Sequence, residues 1–241
     1  MEIGGLQKTT LIDYPGRLAC TVFLIGCNFR CPWCYSRELV LPEEIKKQPR
    51  ISEKDFFDFL KNRKGLLEGV VICGGEPTIY KNLPDFIKNI KKLGYLVKLD
   101  TNGSNPEMLK KLIKEKLIDY VAIDIKAPPR IYSKSVGVEV SIKKIEKSIE
   151  IIKNSGIDYE FRTTLVPTIH SKEDVIEITK CISGLTRLRP GFSGQGKYYL
   201  QNFRAEKTVD PDFEKIKPYS KDFLMEVQRE IAPFFEVCEI R

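Results

Sequence analysis

The feature that most constrains this chain is a repeated alternation of short apolar runs with stretches of helical period. Residues 18–25, 70–73, 95–99, 120–125, 159–166 and 197–203 have the length and composition of strands. Helix signals lie between them. Ser52, with Asp55 three residues on, predicts a cap ahead of Phe56, Phe57 and Leu60. Pro84 and Pro106 take first-turn positions. Ile142, Ile145, Ile149 and Ile152 form an apolar stripe that Gly156 ends. Ser171 with Asp174 opens another helix, residues 220–231 form a last one, and residues 235–240 a terminal strand.

Strand–helix alternation predicts an α/β fold, a parallel sheet covered by helices. Six such units fit either a doubly wound sheet or an incomplete barrel, and periodicity alone does not choose. No repeat or linker interrupts the 241 residues. The expected organisation is one domain over 1–241, with a core at about 16–204 and a C-terminal helix and strand at about 210–241. Residues 184–196 hold four glycines and read as a long loop.

The unusual residues fall just past the predicted strands. Cys27, Asn28, Phe29, Arg30, Cys31, Pro32, Trp33 and Cys34 follow the first, and Gly74, Gly75, Glu76 and Pro77 the second. The third ends in Asp100, Thr101, Asn102 and Gly103, the fourth in Asp124, Ile125 and Lys126. Arg162 to Thr164 come late in the fifth, Gln201 and Asn202 late in the sixth. Ligands of parallel α/β proteins bind at this edge, so six polar strand ends predict an active site.

Several classes are excluded. A membrane-spanning helix needs about 20 apolar residues, whereas the longest run here, residues 18–26, has nine. The N-terminus has no basic stretch leading into an apolar one, so a secretory signal is not expected and the chain reads as cytoplasmic. The net charge of +7 comes without a basic run or interleaved aromatics. It reads as a solvated surface, and nucleic acid is not an expected partner.

Three of seven cysteines sit within eight residues, spaced C-x3-C-x2-C. Structural zinc takes four closed ligands, and iron–sulfur clusters usually take four cysteines. A triplet would leave one iron with an open coordination position, which catalysis requires; structural zinc with a distant fourth cysteine is the alternative. Cys20, Cys73 and Cys181 read as core thiols, Cys238 as part of the terminal strand, and the single histidine, His170, as a surface or capping residue.

The cysteine triplet after the first strand, with Trp33 before its last member, resembles the radical S-adenosylmethionine (SAM) superfamily. Gly74-Gly75-Glu76-Pro77 resembles that superfamily's SAM amino-group motif. The segment from Gly4 to Gly16, with Gly26 to Pro32 and Gln201 to Arg204, resembles the anaerobic ribonucleoside-triphosphate reductase activating proteins and the pyruvate formate-lyase activating enzymes. The resemblance covers essentially the whole chain and implies a partial (β/α)6 barrel of the radical SAM type. Where relatives often carry His-Asn after the third cysteine, this chain has Tyr35-Ser36. It also lacks a second cysteine cluster, so an auxiliary iron–sulfur site is not expected.

The resemblance implies that Cys27, Cys31 and Cys34 hold one [4Fe-4S] cluster whose fourth iron takes SAM. Gly74 and Gly75 would admit the methionine end, and Glu76 would accept from its ammonium. Asp100, Thr101 and Asn102 would contact methionyl and ribose groups, unless they simply form a turn. Asp124 and Lys126 match an Asp-x-Lys pair whose lysine meets the SAM carboxylate. Val166 would lie against adenine, Gln201 against the ribose or cluster edge, and Trp33 beside the cluster or adenine, or in the core.

The implied activity is reductive SAM cleavage followed by hydrogen abstraction from a glycine of a glycyl-radical enzyme, with a flavodoxin- or ferredoxin-like electron donor. Two alternatives stay open: a radical SAM enzyme acting on a small molecule or nucleotide, and a non-enzymatic iron–sulfur or zinc-binding protein.

Overall fold

The computed structural model describes residues 1–184 and 196–241. Most of the loop expected at 184–196 therefore lies outside the described residues. The chain forms two compact units that interleave along the sequence. The first takes residues 1–28, 36–101 and 105–122, and the second takes 29–35, 102–104 and 123–241.

The first unit contains β1 (Ile3–Thr10), β2 (Ala19–Leu24), α1 (Arg37–Val40), α2 (Pro42–Ile45), α3 (Glu53–Asn62), β3 (Gly69–Gly74), α4 (Leu83–Lys92), β4 (Leu96–Thr101), α5 (Pro106–Lys114) and the start of β5 (Tyr120–Asp124). Strands β2, β3 and β4 are parallel, with Leu24 opposite Gly74 and Ile72 opposite Leu99. Local signals placed the helices well. Ser52 Oγ accepts from Asp55 N–H at 3.0 Å, and the Asn105 side chain caps α5 through Met108 N–H at 3.2 Å.

Strand β1 is not legible in the sequence, because Gly4, Gly5 and the polar run Gln7 to Thr10 show no alternation of buried and exposed residues. Its partner makes it a strand: it pairs antiparallel with β2, Ile3 opposite Leu24 and Thr10 opposite Ala19. The turn that follows is built by Thr10 Oγ1, which accepts from Ile12 and Asp13 N–H at 3.3 and 3.2 Å. Thr21 donates to Asp13 at 2.6 Å, and Arg17 pairs with Glu68 at 2.8 Å. This leaves Leu11 and Ile12 exposed and drives Tyr14 inward.

Tyr14, Ala19, Val71 and Tyr120 form a buried cluster with Cys73 and Leu96 against it. The Tyr14 and Tyr120 rings meet edge to face at 5.9 Å. Tyr14 of the opening motif therefore serves the core. Gly69 belongs to the same arrangement, since a Cβ there would lie 2.8 Å from the Tyr14 ring.

The second unit contains the end of β5, then α6 (Tyr132–Val136), α7 (Ile142–Lys153), β6 (Asp158–Leu165), α8 (Lys172–Ser183), β7 (Lys197–Asn202), α9 (Lys221–Ile231) and β8 (Val237–Ile240). Strands β6, β7 and β8 are parallel, with Leu165 opposite Asn202 and Leu200 opposite Ile240. Ser171 and Asp174 form a complete capping box on α8. Ile145, Ile149 and Ile152 bury the α7 stripe.

Two expectations need correction. Cys181 is exposed, because α8 turns Val175, Ile178 and Ile182 inward and leaves Cys181 outside that stripe. His170 is buried rather than superficial. Cys20 is a core thiol, as expected, and burial pushes it up to about 12. No helix among the described residues is long and apolar enough to cross a membrane.

Replacing Tyr14 with Ala should cost about 3 kcal/mol or more of unfolding free energy, as deletion of a buried aromatic does. Gly69→Ala should cost about 1–3 kcal/mol through overpacking. Because one ring causes both effects, the double variant should be clearly less destabilised than the sum. Urea unfolding of the four proteins measures this.

Candidate active site

In the first unit, the register of β2 with β3 brings the Gly-Gly-Glu turn against the chain that enters Cys27. Gly75 N–H donates to Leu24 C=O at 2.9 Å, and Glu76 N–H donates to Gly26 C=O at 2.8 Å. A Cβ on Gly74, whose φ is +119°, would stand 2.3 Å from Leu24 backbone atoms. One on Gly75 would stand 2.0 Å from Gly26 O. Both glycines are thus demanded by the chain's own close approach, a reason the sequence did not reveal.

Glu76 is fully buried. Its Oε1 accepts from Thr78 N–H at 3.0 Å, Thr78 Oγ1 at 2.5 Å and Thr101 Oγ1 at 2.7 Å. The side chain caps the short 3-10 turn Pro77–Ile79 and reaches the end of β4. The carboxylate therefore has a structural role, tying the turn after β3 to the end of β4. Asp100, two residues along β4 from Lys98, takes the Lys98 ammonium on Oδ1 at 2.6 Å. Cys27 is half-buried and belongs to this unit as well.

The second unit holds Cys31, Trp33, Cys34, Asn102, Asp124, Lys126, Val166 and Gln201. The cysteine loop is closed by Cys34 N–H donating to Cys31 C=O at 3.1 Å. It is anchored by Val209 N–H on Cys34 C=O and Asp210 N–H on Pro32 C=O, both 2.9 Å. Asn102 Oδ1 accepts from Ser104 N–H at 3.0 Å, so its side chain shapes the turn.

Asp124 receives Arg162 Nε at 2.8 Å and Lys126 Nζ at 3.2 Å. Burial opposes ionisation of Asp124, but the two cations outweigh it and hold the carboxyl well below the usual range. Burial likewise opposes the Lys126 ammonium, and Asp124, Cys31 and Cys34 outweigh it, so Lys126 stays charged. Arg162 is thus part of the site although the sequence marked it only by its place in a strand.

Val166 is buried, and Gln201 meets Thr164 at the long distance of 3.5 Å. Beside Gln201, Asn202 donates through Nδ2 to Tyr219 C=O at 2.9 Å. Its shielded Oδ1 has no hydrogen-bond partner among the described residues. An unsatisfied acceptor at a strand end suits a donor supplied by a ligand.

The sequence also missed His170. Its ring meets Trp33 edge to face at 6.0 Å. Val166 N–H donates to Nδ1 at 3.0 Å, which leaves Nε2 to donate to Lys126 C=O at 2.8 Å. Only the neutral imidazole with its proton on Nε2 fits both bonds. Its one sequence signal was position, just past the end of a predicted strand.

The donor chemistry fits an iron–sulfur cluster. Cys27, Cys31 and Cys34 supply three sulfur donors within eight residues, and thiolates are the ligands such clusters take. Among the described residues no three His, Cys, Asp or Glu side chains are grouped to hold a metal ion. A cubane does not ask for that grouping, because each thiolate binds a different iron.

Comparison with known proteins agrees with this chemistry. Residues 21–182 match the radical SAM superfamily model. A Methanocaldococcus jannaschii protein named "Putative glycyl-radical enzyme activating enzyme" is 32% identical over 99% of this chain and 95% of its own length. A solved domain of pyruvate-formate lyase-activating enzyme from Bacteroides vulgatus superposes with a TM-score of 0.56 at 17% identity. That match covers 72% of this chain and 99% of the domain. Streptococcus suis SuiB bound to S-adenosylmethionine gives a TM-score of 0.64 at 16% identity, over 92% of this chain and 51% of SuiB.

The chain belongs to the radical SAM superfamily and is a radical SAM enzyme. Its full-length likeness places it beside the proteins named as glycyl-radical enzyme activating enzymes. The structural matches decide between the two architectures that periodicity left open, in favour of the partial barrel of the radical SAM type.

Burial is the main reason the His170 pKa lies below the free value of 6.5. The folded state therefore binds fewer protons than the unfolded state, and stability rises with pH. This contribution is complete above about 6.5 and is lost as pH falls through the folded value. The unfolding free energy of the wild type relative to His170→Gln should be larger at neutral pH than at mildly acidic pH. An equal gap at both would contradict a buried neutral imidazole.

Proposed function

We propose that this chain activates a glycyl-radical enzyme, with an anaerobic ribonucleoside-triphosphate reductase as the partner. The observation that carries this reading is the 32% identity running through nearly the full length of both chains. The Gly4 to Gly16 and Gln201 to Arg204 segments support an activating role, since they resemble the anaerobic ribonucleoside-triphosphate reductase activating proteins and the pyruvate formate-lyase activating enzymes.

Cys27, Cys31 and Cys34 would hold the [4Fe-4S] cluster. When bound and reduced, the cluster supplies reductive cleavage of SAM, leading to hydrogen abstraction from a glycine Cα. Glu76 accepts from the SAM ammonium as a charge-assisted hydrogen bond, on the same carboxylate that Thr78 and Thr101 orient. Lys126, kept charged by Asp124, takes the SAM carboxylate. Gly74 and Gly75 admit the methionine end, and Asp100, Thr101 and Asn102 complete the methionyl and ribose contacts. Val166 lies against adenine, with Trp33 and Gln201 bordering the nucleoside.

The protein's work is positioning, because the cofactor carries the difficult chemistry. The partner's glycine loop must reach within about 3–3.5 Å of the reacting carbon. The resulting glycine radical is delocalised into both flanking amides and outlasts the encounter. The net charge of +7 favours acidic partners, including a flavodoxin- or ferredoxin-like donor. The reaction belongs to the cytoplasm.

Anaerobic reconstitution should yield about four irons per chain. Cys27→Ala, Cys31→Ala and Cys34→Ala should each lose the cluster, while Cys181→Ala keeps it. One bound zinc and no iron uptake would overturn the cluster assignment.

Glu76→Gln keeps an acceptor for Thr78 and Thr101, so its melting temperature should stay near wild type. Its SAM affinity should fall by about 1.5–3 kcal/mol, the worth of a charged hydrogen bond. Unchanged SAM affinity would leave Glu76 with the turn role alone.

Incubating the reduced protein with SAM and the cognate reductase should produce the doublet of a glycyl radical in electron paramagnetic resonance. Deuterium at the glycine Cα should collapse that doublet toward a singlet. Brisk SAM cleavage with no radical on any glycyl-radical enzyme of the source organism would favour a small-molecule substrate.

A further inference from the structure

His170 is the only histidine of the chain and one of its most buried polar residues, at 2% exposure. Every polar group it carries at the end of β6 is engaged across loops. Nδ1 takes the Val166 N–H, and Nε2–H is given to the carbonyl of Lys126, past the end of β5. The ring edge meets Trp33, which lies between Cys31 and Cys34. Its own carbonyl takes the Tyr219 hydroxyl at 2.5 Å, and the Tyr219 carbonyl in turn takes Asn202 Nδ2 at 2.9 Å.

The local backbone is strained in the way such an arrangement requires. Thr168, a β-branched residue, sits at φ +73°, in the left-handed region. That turn folds the chain back so that Ile169 and His170 N–H both donate to Val166 C=O, at 3.2 and 2.9 Å. Strain of this kind persists only where the surroundings over-determine it. Here the surroundings are the two ring bonds and the Tyr219 bond.

We propose that His170 is the positioning residue of this unit's SAM-binding groups, a single neutral ring that fixes Trp33, Lys126 and Val166 relative to one another. Lys126 is the critical member. Its side chain can meet a carboxylate reproducibly only if its backbone is pinned; the Tyr132 hydroxyl takes its N–H at the longer distance of 3.3 Å, and the His170 bond at 2.8 Å holds its carbonyl. Through Tyr219 the same framework reaches Asn202, whose Oδ1 has no partner among the described residues. This inference rests on the reading that the unit binds SAM, and it adds to that reading a residue that touches no ligand itself.

The test uses the full, anaerobically reconstituted protein. His170→Phe keeps an aromatic ring for Trp33 and removes both ring hydrogen bonds. His170→Asn restores an acceptor for Val166 N–H. Iron content and melting temperature report the fold. Trp33, the chain's only tryptophan, reports the loop through its emission. Reductive SAM cleavage reports the site.

His170→Phe should retain iron and lose about tenfold to a hundredfold in kcat/KM for SAM cleavage, the scale of an ångström-level misplacement. Its Trp33 emission should no longer respond to SAM as the wild type does. His170→Asn should recover part of both. A folded, cluster-bearing His170→Phe that matches the wild type in cleavage and in Trp33 response overturns the proposal.

If His170→Phe does not fold, Tyr219→Phe removes one restraint on the same residue. It should then raise KM for SAM while leaving iron content intact, and an unchanged KM overturns the proposal. A wild type that takes up the cluster but does not cleave SAM refutes the underlying SAM reading instead, whatever the variants do.

Discussion

The parallel register of β2 with β3 is the constraint on which the first unit's site depends. Leu24 opposite Gly74 brings two strand ends level. The turn after β3 then has to cross the chain leaving β2 at backbone distance. Two hydrogen bonds, to Leu24 and Gly26 carbonyls, fix that crossing, and the space left admits no Cβ at either glycine. From that point Glu76 has one direction to go, toward Thr101 at the end of β4. A fully buried carboxylate is costly unless it is hydrogen-bonded, and three donors on Oε1 offset that cost.

The second unit solves a related problem with charge. Asp124 ends β5, Lys126 follows it and Arg162 lies within β6, and each would be unfavourable there alone. Together the two cations keep Asp124 ionised, and Asp124 keeps Lys126 charged. The neutral His170 complements this network. It contributes no charge, only direction, by binding backbone at Lys126 and Val166. Ion pairs tolerate some movement, whereas two opposed ring bonds fix an orientation.

The opening segment shows how a family-like motif divides its labour. Its resemblance to activating proteins points to function, yet the contacts the structure shows for Thr10, Asp13, Tyr14 and Arg17 are architectural. Asp13 and Thr10 build the turn, Tyr14 fills the floor of the cluster with Tyr120, and Arg17 ties the turn to Glu68. A motif can mark a family because the fold needs it, even where no ligand touches it.

The longer helices α3, α4, α5, α7, α8 and α9, and the caps at Ser52 and Ser171, were determined by the sequence alone. These signals are local: a serine with an acidic residue three positions on, a proline in a first turn, isoleucines at helical spacing. The cysteine triplet and Gly74-Gly75-Glu76 were equally legible, because their chemistry lies in residue type and spacing. Three features waited for tertiary structure. Strand β1 exists because β2 offers an edge, and pairing with a distant segment leaves no periodicity of its own. Cys181 is exposed because one helical position decides which side of a stripe a residue falls on. His170 joins the site because Val166, Lys126 and Trp33 come from well-separated parts of the chain, and only folding sets their groups around one ring.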